Sequence, residues 1–268
     1  MKRATPFGFI GAMLLTSHAT ALVAVEAPSK RYEFETDWQI QSAEPSNTAE
    51  TTVTLRSGDL FMKQRLLPPR AARLNVPLVD KKGEELLPIG AELFGTKSDT
   101  VDIYCSTEQK DYNIAAQFLL GRRVQKQICL VDIDRDGDFD NFFKISGNIR
   151  GLPSLYARTP KTMDNLDGLK YLSIDPVSMS QTYFVAVEYQ GKPLIYDRRN
   201  FTVTFGTDQK KESLTSWIYT KGSTYPQSLT YLGGKFTVLS ENQGALNVRI
   251  DLQIPPQRFG VIQSVSFR

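Results

Sequence analysis

The chain has 268 residues, with 32 basic and 29 acidic side chains, and 41% of its residues are hydrophobic. This length and this hydrophobic fraction suffice for one large β domain or two small ones with a sizeable core. The near balance of charge gives no electrostatic basis for binding nucleic acid, so no nucleic-acid partner is expected.

The first 21 residues are typical of a secretory signal peptide. Lys2 and Arg3 precede an apolar stretch at residues 7–15, and cleavage is expected near Ala21. The apolar stretch is shorter than the roughly 20 residues that a bilayer span needs, so we expect no stable membrane insertion after cleavage. Loss of Lys2 and Arg3 leaves 30 basic against 29 acidic side chains, a net charge of about +1. We expect a bacterial periplasmic or secreted protein.

Histidine chemistry is excluded from the predicted mature chain. The single histidine, His18, lies within the predicted signal peptide, so Ser-His-Asp and Cys-His mechanisms lack their general base. The Ser-x-x-Lys dyad, the Gly-x-x-x-x-Gly-Lys phosphate loop and the Rossmann fingerprint do not occur either. We therefore favour a protein without enzymatic activity.

Alternation of apolar and polar residues indicates strands, because it places one side-chain face in a core and the other in water. The apolar positions that alternate are Tyr32, Phe34, Trp38 and Ile40, then Phe201, Val203 and Phe205, then Phe236 and Val238, and finally Leu246, Val248, Ile250, Leu252 and Ile254. Only residues 113–120 favour a helix. The sequence predicts a mostly β fold, an antiparallel β-sandwich or a barrel.

The only two cysteines, Cys105 and Cys129, are predicted to form one disulfide, because an exported chain meets oxidising conditions. It would close a loop of about 25 residues, which the loop-entropy model equates with roughly 3 to 4 kcal/mol of stabilisation. Two unpaired buried thiols are the alternative. A zinc site is disfavoured because no further soft ligands lie nearby in the sequence.

Five aspartates occupy alternate positions after Cys129: Asp132, Asp134, Asp136, Asp138 and Asp140. Two like charges about 4 Å apart repel by roughly 4 kcal/mol at an effective dielectric constant of 20, so inward-facing carboxylates need a cation. Side chains that splay into water are the alternative. Asp-x-Asp-x-Asp-Gly is the spacing with which calcium loops present successive oxygen ligands.

We therefore predict a calcium site in this segment. Asp132, Asp134 and Asp136 would supply side-chain oxygens, and Asp138 would offer its backbone carbonyl. Asp140 would complete the coordination shell directly or through water, and Phe139 would face the core.

The segment resembles the Asp-rich loops of EF-hand, dockerin, thrombospondin type 3 and integrin-type FG-GAP repeats over about a dozen residues. Position twelve is Phe143, where the EF-hand has a bidentate glutamate, and segments 128–131 and 142–145 are typical of strands. The nearer resemblance is the FG-GAP hairpin loop, which uses positions one, three, five and nine. It implies calcium bound by Asp132, Asp134, Asp136 and Asp140, and the missing bidentate ligand predicts a dissociation constant of about 10⁻⁴ to 10⁻³ M.

Two features organise the second half. Residues 158–170 are polar and rich in turn formers, which predicts a division between β lobes at residues 22–160 and 161–268. A single sandwich with a long connecting loop is the alternative. The apolar run Tyr183–Val187 is typical of a central strand covered on both faces, and the following turn predicts a hairpin with a strand at Leu194–Tyr196.

Two further functions are left open beside the leading prediction, an exported β-rich protein with a structural calcium loop and an unidentified envelope-protein or glycan partner. A carbohydrate-active enzyme or carbohydrate-binding module would need two carboxylates about 5 to 10 Å apart. A subunit of a cell-surface assembly would need an uncovered edge strand. The candidate carboxylates are Glu35, Asp37, Asp102, Glu188 and Asp197, and the candidate sugar-stacking aromatics are Trp38, Trp217, Tyr219 and Tyr225.

Overall fold

The computed structural model describes residues 32–35, 37–41, 51–111, 125–146, 152–153, 156–214 and 218–260. The predicted signal peptide, the helical candidate at residues 113–120 and Trp217 lie outside these ranges. The strands of the first half are β1 (Glu33–Glu35), β2 (Trp38–Ile40), β3 (Thr51–Leu55), β4 (Leu60–Leu67), β5 (Ala71–Leu74), β6 (Leu78–Val79), β7 (Glu85–Leu87), β8 (Glu92–Gly95), β9 (Asp102–Asp111), β10 (Gln125–Asp132) and β11 (Asp138–Ser146).

The strands of the second half are β12 (Tyr156–Arg158), β13 (Asp164–Ile174), β14 (Tyr183–Gly191), β15 (Asn200–Gly206), β16 (Lys211–Ser213), β17 (Ile218–Tyr219), β18 (Gln227–Tyr231), β19 (Gly234–Asn242), β20 (Ala245–Leu252) and β21 (Gln257–Phe259). Within the described ranges a single 3-10 turn, Pro176–Ser178, is the only helical element. The prediction of a mostly β, antiparallel fold is confirmed.

Six strands close into an antiparallel barrel in the order β10-β11-β13-β5-β8-β9. Every one of them sends side chains into a common cluster, which fills the barrel and consists of Ala72, Leu74, Leu93, Tyr104, Ile128, Leu130, Phe139 and Phe142 with the partly buried Leu169 and Tyr171. The β6–β7 hairpin adds its own leucines, Leu78, Leu86 and Leu87, to this cluster. The described part of the barrel is therefore packed with apolar side chains.

The other large body is a sandwich of two antiparallel sheets. One sheet has the order β16-β15-β14-β4-β2-β21, with β17 also paired to β15, and the other has the order β18-β19-β20-β3. Phe61 and Phe201 from the first sheet meet Phe236 from the second, with ring centroids 4.9 and 5.1 Å apart. These edge-to-face contacts join the two sheets across their inner faces.

Trp38 links the sandwich to the outer face of the barrel. Its indole is fully buried and contacts Phe94 of β8, Tyr183 of β14 and Phe205 of β15 at centroid distances of 5.5, 4.6 and 5.7 Å. The prediction that Trp38 stacks on a sugar ring is therefore wrong. The physical reason is that its indole packs against aromatic rings from β8, β14 and β15, so this face of β2 belongs to the core.

The barrel is inserted into the sandwich. Strands β4 and β14 pair directly, Leu66 opposite Tyr183, although β5 to β13 lie between them in the sequence. Most of residues 158–170, predicted as a polar division, belong to β13, which pairs with both β11 and β5 and so closes the barrel. One compact unit spans Arg31–Arg268. Strands from both sides of residue 160 share the barrel and the sandwich, so the predicted boundary does not divide the sheets into two sets. Independent folding of two lobes stays a prediction.

The prediction of a buried central strand is confirmed, and the prediction of its hairpin partner is wrong. In β14, Tyr183–Tyr189 is buried on both faces, as predicted. Its hairpin partner is β15, with Tyr189 opposite Phe201, and not Leu194–Tyr196. The β14–β15 ladder buries Phe201, Val203 and Phe205. Pairing with the three residues Leu194–Tyr196 would bury less apolar surface and so stabilise the hairpin less.

Within the part of the chain that the structure describes, no helix has the length and hydropathy needed to span a membrane.

Candidate metal site

The acidic segment forms the turn of the β10–β11 hairpin. The two strands pair from Lys126 opposite Ser146 to Val131 opposite Asn141, so the predicted strand flanks are confirmed. Arg135 and Gly137 adopt left-handed backbone conformations with φ of 66° and 97°, which lets the chain reverse within five residues. A side chain at position 137 would be strained, which explains the glycine there.

Three aspartates converge at this turn. One carboxylate oxygen from each of Asp132, Asp134 and Asp136 lies within 4.8 Å of the other two. Oxygen ligands about 2.3 to 2.6 Å from a shared calcium ion are separated by no more than about 5 Å, so this spacing suits a common ion. Asp132 is buried, whereas Asp134 and Asp136 are exposed. The group can therefore hold a metal ion, with one ligand fixed in the protein and two facing solvent.

Asp132 is the anchored member of the group. Its Oδ1 accepts a hydrogen bond from the backbone N–H of Arg135 at 2.6 Å, and its Oδ2 accepts from the N–H of Gly137 at 3.2 Å and the hydroxyl of Tyr171 at 3.1 Å. Burial raises the pKa of the Asp132 carboxyl above its usual value, although these hydrogen bonds oppose the shift. A nearby cation would favour the charged form that burial disfavours.

The two remaining aspartates lie outside the converging group. Asp140 accepts a hydrogen bond from the backbone N–H of Ile133 at 2.7 Å, which closes the base of the turn. Asp138 has its Oδ2 beside Gly168, 3.5 Å from where a Cβ would stand on that glycine, and its backbone N–H donates to Asp136 Oδ1 at 3.0 Å. Phe139 is fully buried in the barrel, as predicted. A ligand role for Asp138 or Asp140 stays a prediction.

Two contacts of the turn were not visible in the sequence. Tyr171 of β13, which donates to Asp132, also stacks on Phe139 with ring centroids 4.3 Å apart. Arg135 places its Nε 3.3 Å from Asp102 Oδ1 on β9, and Arg70 binds the same carboxylate. The turn is therefore attached to the barrel on both sides. Tyr171 lies 39 residues from Asp132 in the sequence, and no local pattern connects the two.

The predicted disulfide is confirmed. Cys105 of β9 and Cys129 of β10 face each other directly, with a Cα–Cα distance of 4.0 Å and a sequence separation of 24. Both are buried in the core that the barrel shares with the sandwich. The bond joins the strand that leads into the acidic turn to its neighbour. Such a bond suggests an environment outside the cytoplasm.

Four of the five carboxylates proposed for glycoside hydrolysis lie beside basic side chains. Glu188 binds Lys211 at 2.9 Å and accepts from the Thr204 hydroxyl, and Asp197 binds Lys192 at 3.0 Å. Asp102 is held by Arg70 and Arg135, and Asp37 lies 3.9 Å from Arg258. The side chain of Glu35 lies outside the described part of the chain. These pairings favour structural roles for the four described carboxylates.

Comparison with protein-family models, with curated proteins and with solved structures gives no match to this chain. The candidate site therefore rests on the geometry of the turn alone.

Proposed function

We propose that this chain is an exported, non-enzymatic bacterial protein of the periplasm or the extracellular medium, in which calcium at the β10–β11 turn stabilises the barrel. The observation that carries the proposal is the convergence of Asp132, Asp134 and Asp136 on one side of the turn. The disulfide and the signal-like N-terminus support export.

Calcium is the cation that this ligand set favours. All three candidate ligands are carboxylate oxygens, which hard cations prefer, and the exposed side of the group leaves room for water molecules to complete a shell of six to eight oxygens. Magnesium demands near-ideal octahedral geometry and gives up its water reluctantly. A dissociation constant of about 10⁻⁴ to 10⁻³ M suits extracellular calcium modules.

Calcium would act on stability through the charged turn. In its absence the repulsion among three carboxylates opposes the folded hairpin, and the burial of Asp132 adds to this cost. An ion that binds only the folded turn adds its binding free energy to the free energy of unfolding. Because Tyr171 and Asp102 attach the turn to β13 and β9, this stabilisation extends to the barrel.

The test is a thermal unfolding series in calcium chloride. At 5 mM calcium, a dissociation constant of about 10⁻⁴ to 10⁻³ M predicts about 1 to 2 kcal/mol of added stability, or a rise in Tm of roughly 2 to 8 °C. Asp134→Asn should abolish most of this rise. The matched control is Asp138→Asn, which removes one charge from the same turn but outside the converging group.

Magnesium chloride at equal concentration controls for ionic strength and should produce a smaller rise. A Tm that does not respond to calcium up to several millimolar would refute the proposal. Equal loss of the response in the Asp134 and Asp138 variants would show that general charge, and not a coordinated ion, is responsible.

The two alternative functions receive less support from the described residues. Of the two tryptophans proposed for a carbohydrate site, Trp38 is buried and Trp217 lies outside the described residues, and the four described carboxylates are ion-paired. The edge strands of the sandwich are short, with five residues in β3 and β18 and three in β16 and β21. Short edges are the usual protection against pairing with another chain.

A further inference from the structure

The loop between β14 and β15 exposes apolar side chains to an unusual degree. Leu194 and Ile195, here called the apolar tip, have relative exposures of 105% and 85%, the highest of the large hydrophobic residues that the structure describes. Tyr196 follows at 57%. Two adjacent aliphatic side chains that touch almost nothing in the fold are in contact with water at a free-energy cost, which a binding partner would remove.

Tyr196 and Arg198, which follow the apolar tip in the sequence, form a basic and aromatic cluster with Tyr219, here called the collar. The Arg198 guanidinium lies between the rings of Tyr196 and Tyr219, at 4.7 and 4.4 Å from their centroids. These two cation–π contacts hold the charge of Arg198 in place next to the tip. Within the described residues no carboxylate pairs with Arg198, whereas the neighbouring Lys192 is paired with Asp197 at 3.0 Å. Arg198 is therefore the uncompensated cation of the collar.

The side chains of this loop are of the types that bind membrane surfaces. Two aliphatic residues are almost fully exposed, Tyr196 after them is 57% exposed, and the Arg198 guanidinium contacts the rings of Tyr196 and Tyr219. Tyrosine is enriched at the boundary between hydrocarbon and water, and arginine binds lipid phosphates as a planar fork. The apolar tip together with Tyr196 is also small for a protein partner, because these three side chains cover roughly a few hundred Å², against about 800 Å² per partner in a stable complex.

We propose that the apolar tip inserts reversibly into the interfacial layer of a lipid bilayer and that Arg198 binds the anionic headgroups beneath it. The proposal is independent of the calcium turn. Attraction to the membrane is local, since the net charge is only +3 for the whole chain and about +1 without the predicted signal peptide. Such a contact is peripheral and reversible, as one short apolar segment provides too little buried area for permanent anchoring.

The test is flotation of the purified chain with vesicles of phosphatidylcholine, alone or mixed with phosphatidylglycerol. We expect binding to be several-fold stronger to the anionic vesicles, and Leu194→Ser with Ile195→Ser to weaken it at least about tenfold. The matched control is Ile89→Ser with Val177→Ser, two aliphatic residues that are 67% and 52% exposed elsewhere on the surface. All variants share the same N-terminus, so differences between them report the substituted side chains.

Two further variants separate the roles of tip and collar. Arg198→Gln should retain binding to phosphatidylcholine and lose most of the preference for phosphatidylglycerol. In the Leu194→Trp variant, the fluorescence of the introduced indole should shift to shorter wavelength when the protein binds vesicles. Lipids brominated along the acyl chain should quench this fluorescence. Absence of vesicle binding by the unaltered chain at millimolar lipid, as expected for a protein-docking loop, would overturn the proposal. Equal binding by the Leu194 and Ile195 double variant would overturn it as well.

Discussion

Two hairpin turns of this protein, β10–β11 and β14–β15, carry opposite chemistry on similar strands. The strands that lead into them are equally buried, Cys129–Val131 in β10 and Tyr183–Tyr189 in β14. The β10–β11 turn gathers three carboxylates, whereas the β14–β15 loop turns Leu194 and Ile195 into water. In both hairpins the buried strands hold the pairing in place. The turn residues can therefore differ, and they carry a charge cluster in one hairpin and an apolar tip in the other.

The turns also differ in how they are attached. The acidic turn is joined to the barrel through Tyr171 and Asp102 and lies three residues from a disulfide. Within the described residues the apolar tip makes no comparable contact, and its loop is attached at its base by Arg199, which binds Glu241 and Asp197. We therefore expect changes at the first turn to alter stability and changes at the tip to alter binding.

Removal of the disulfide should have the largest effect. Replacing Cys105 and Cys129 by alanine releases a loop of 24 residues in sequence separation, and the loop-entropy model predicts a loss of about 3 to 4 kcal/mol. Urea denaturation at fixed calcium concentration measures it. Reductant together with a calcium chelator should lower the Tm of the unaltered chain more than either alone. An unchanged urea midpoint would mean that the disulfide does not stabilise the barrel.

Tyr171→Phe should have an intermediate effect. The variant keeps the ring stacked on Phe139 and deletes only the hydroxyl that donates to Asp132, so the expected loss is about 1 kcal/mol. Calcium affinity should fall roughly tenfold, as is typical when the partner of a ligand is removed. Isothermal titration with calcium and urea denaturation measure the two losses. Tyr225→Phe is the control, because its hydroxyl lies 3.4 Å from Glu241, far along the chain from the turn. Equal calcium affinities in all three proteins would contradict the role of Tyr171.

The smallest expected effect is a pH-dependent loss of stability at the loop that carries the apolar tip. Hydrogen bonds from Lys192, Ser223 and Arg199 lower the pKa of Asp197 from 3.8 to about 2. A carboxyl whose pKa is lowered by folding stabilises the protein above its unfolded pKa, and this contribution is lost as the pH falls from about 4 toward 2. Asp197→Asn should therefore show a shallower fall in Tm between pH 5 and 2. Parallel curves for the two proteins would show that the pairing contributes no stability.

Much of the candidate site was predictable because its signals are local. The alternate aspartates, the glycine at the bend and the strand-like flanks lie within one hairpin, whose side-chain directions follow from the two-residue period of a strand. That period placed Phe139 in the core correctly. It could not show that Asp138 lies beside Gly168, because that position depends on a bulge in the pairing of β11 with β13.

The sequence alone determined the β character, the disulfide partners, the buried centre of β14 and the acidic turn, since each depends on composition or on neighbours within a few residues. Tertiary structure alone decided that the polar segment Asp164–Ile174 closes a barrel, that β14 pairs with β15 and that Tyr171 supports Asp132. Strand partners far apart in the chain are chosen by the total area they bury. The apolar pattern of β13 is weak because, besides its ladder hydrogen bonds, it sends only a few side chains such as Leu169 and Tyr171 into the barrel cluster.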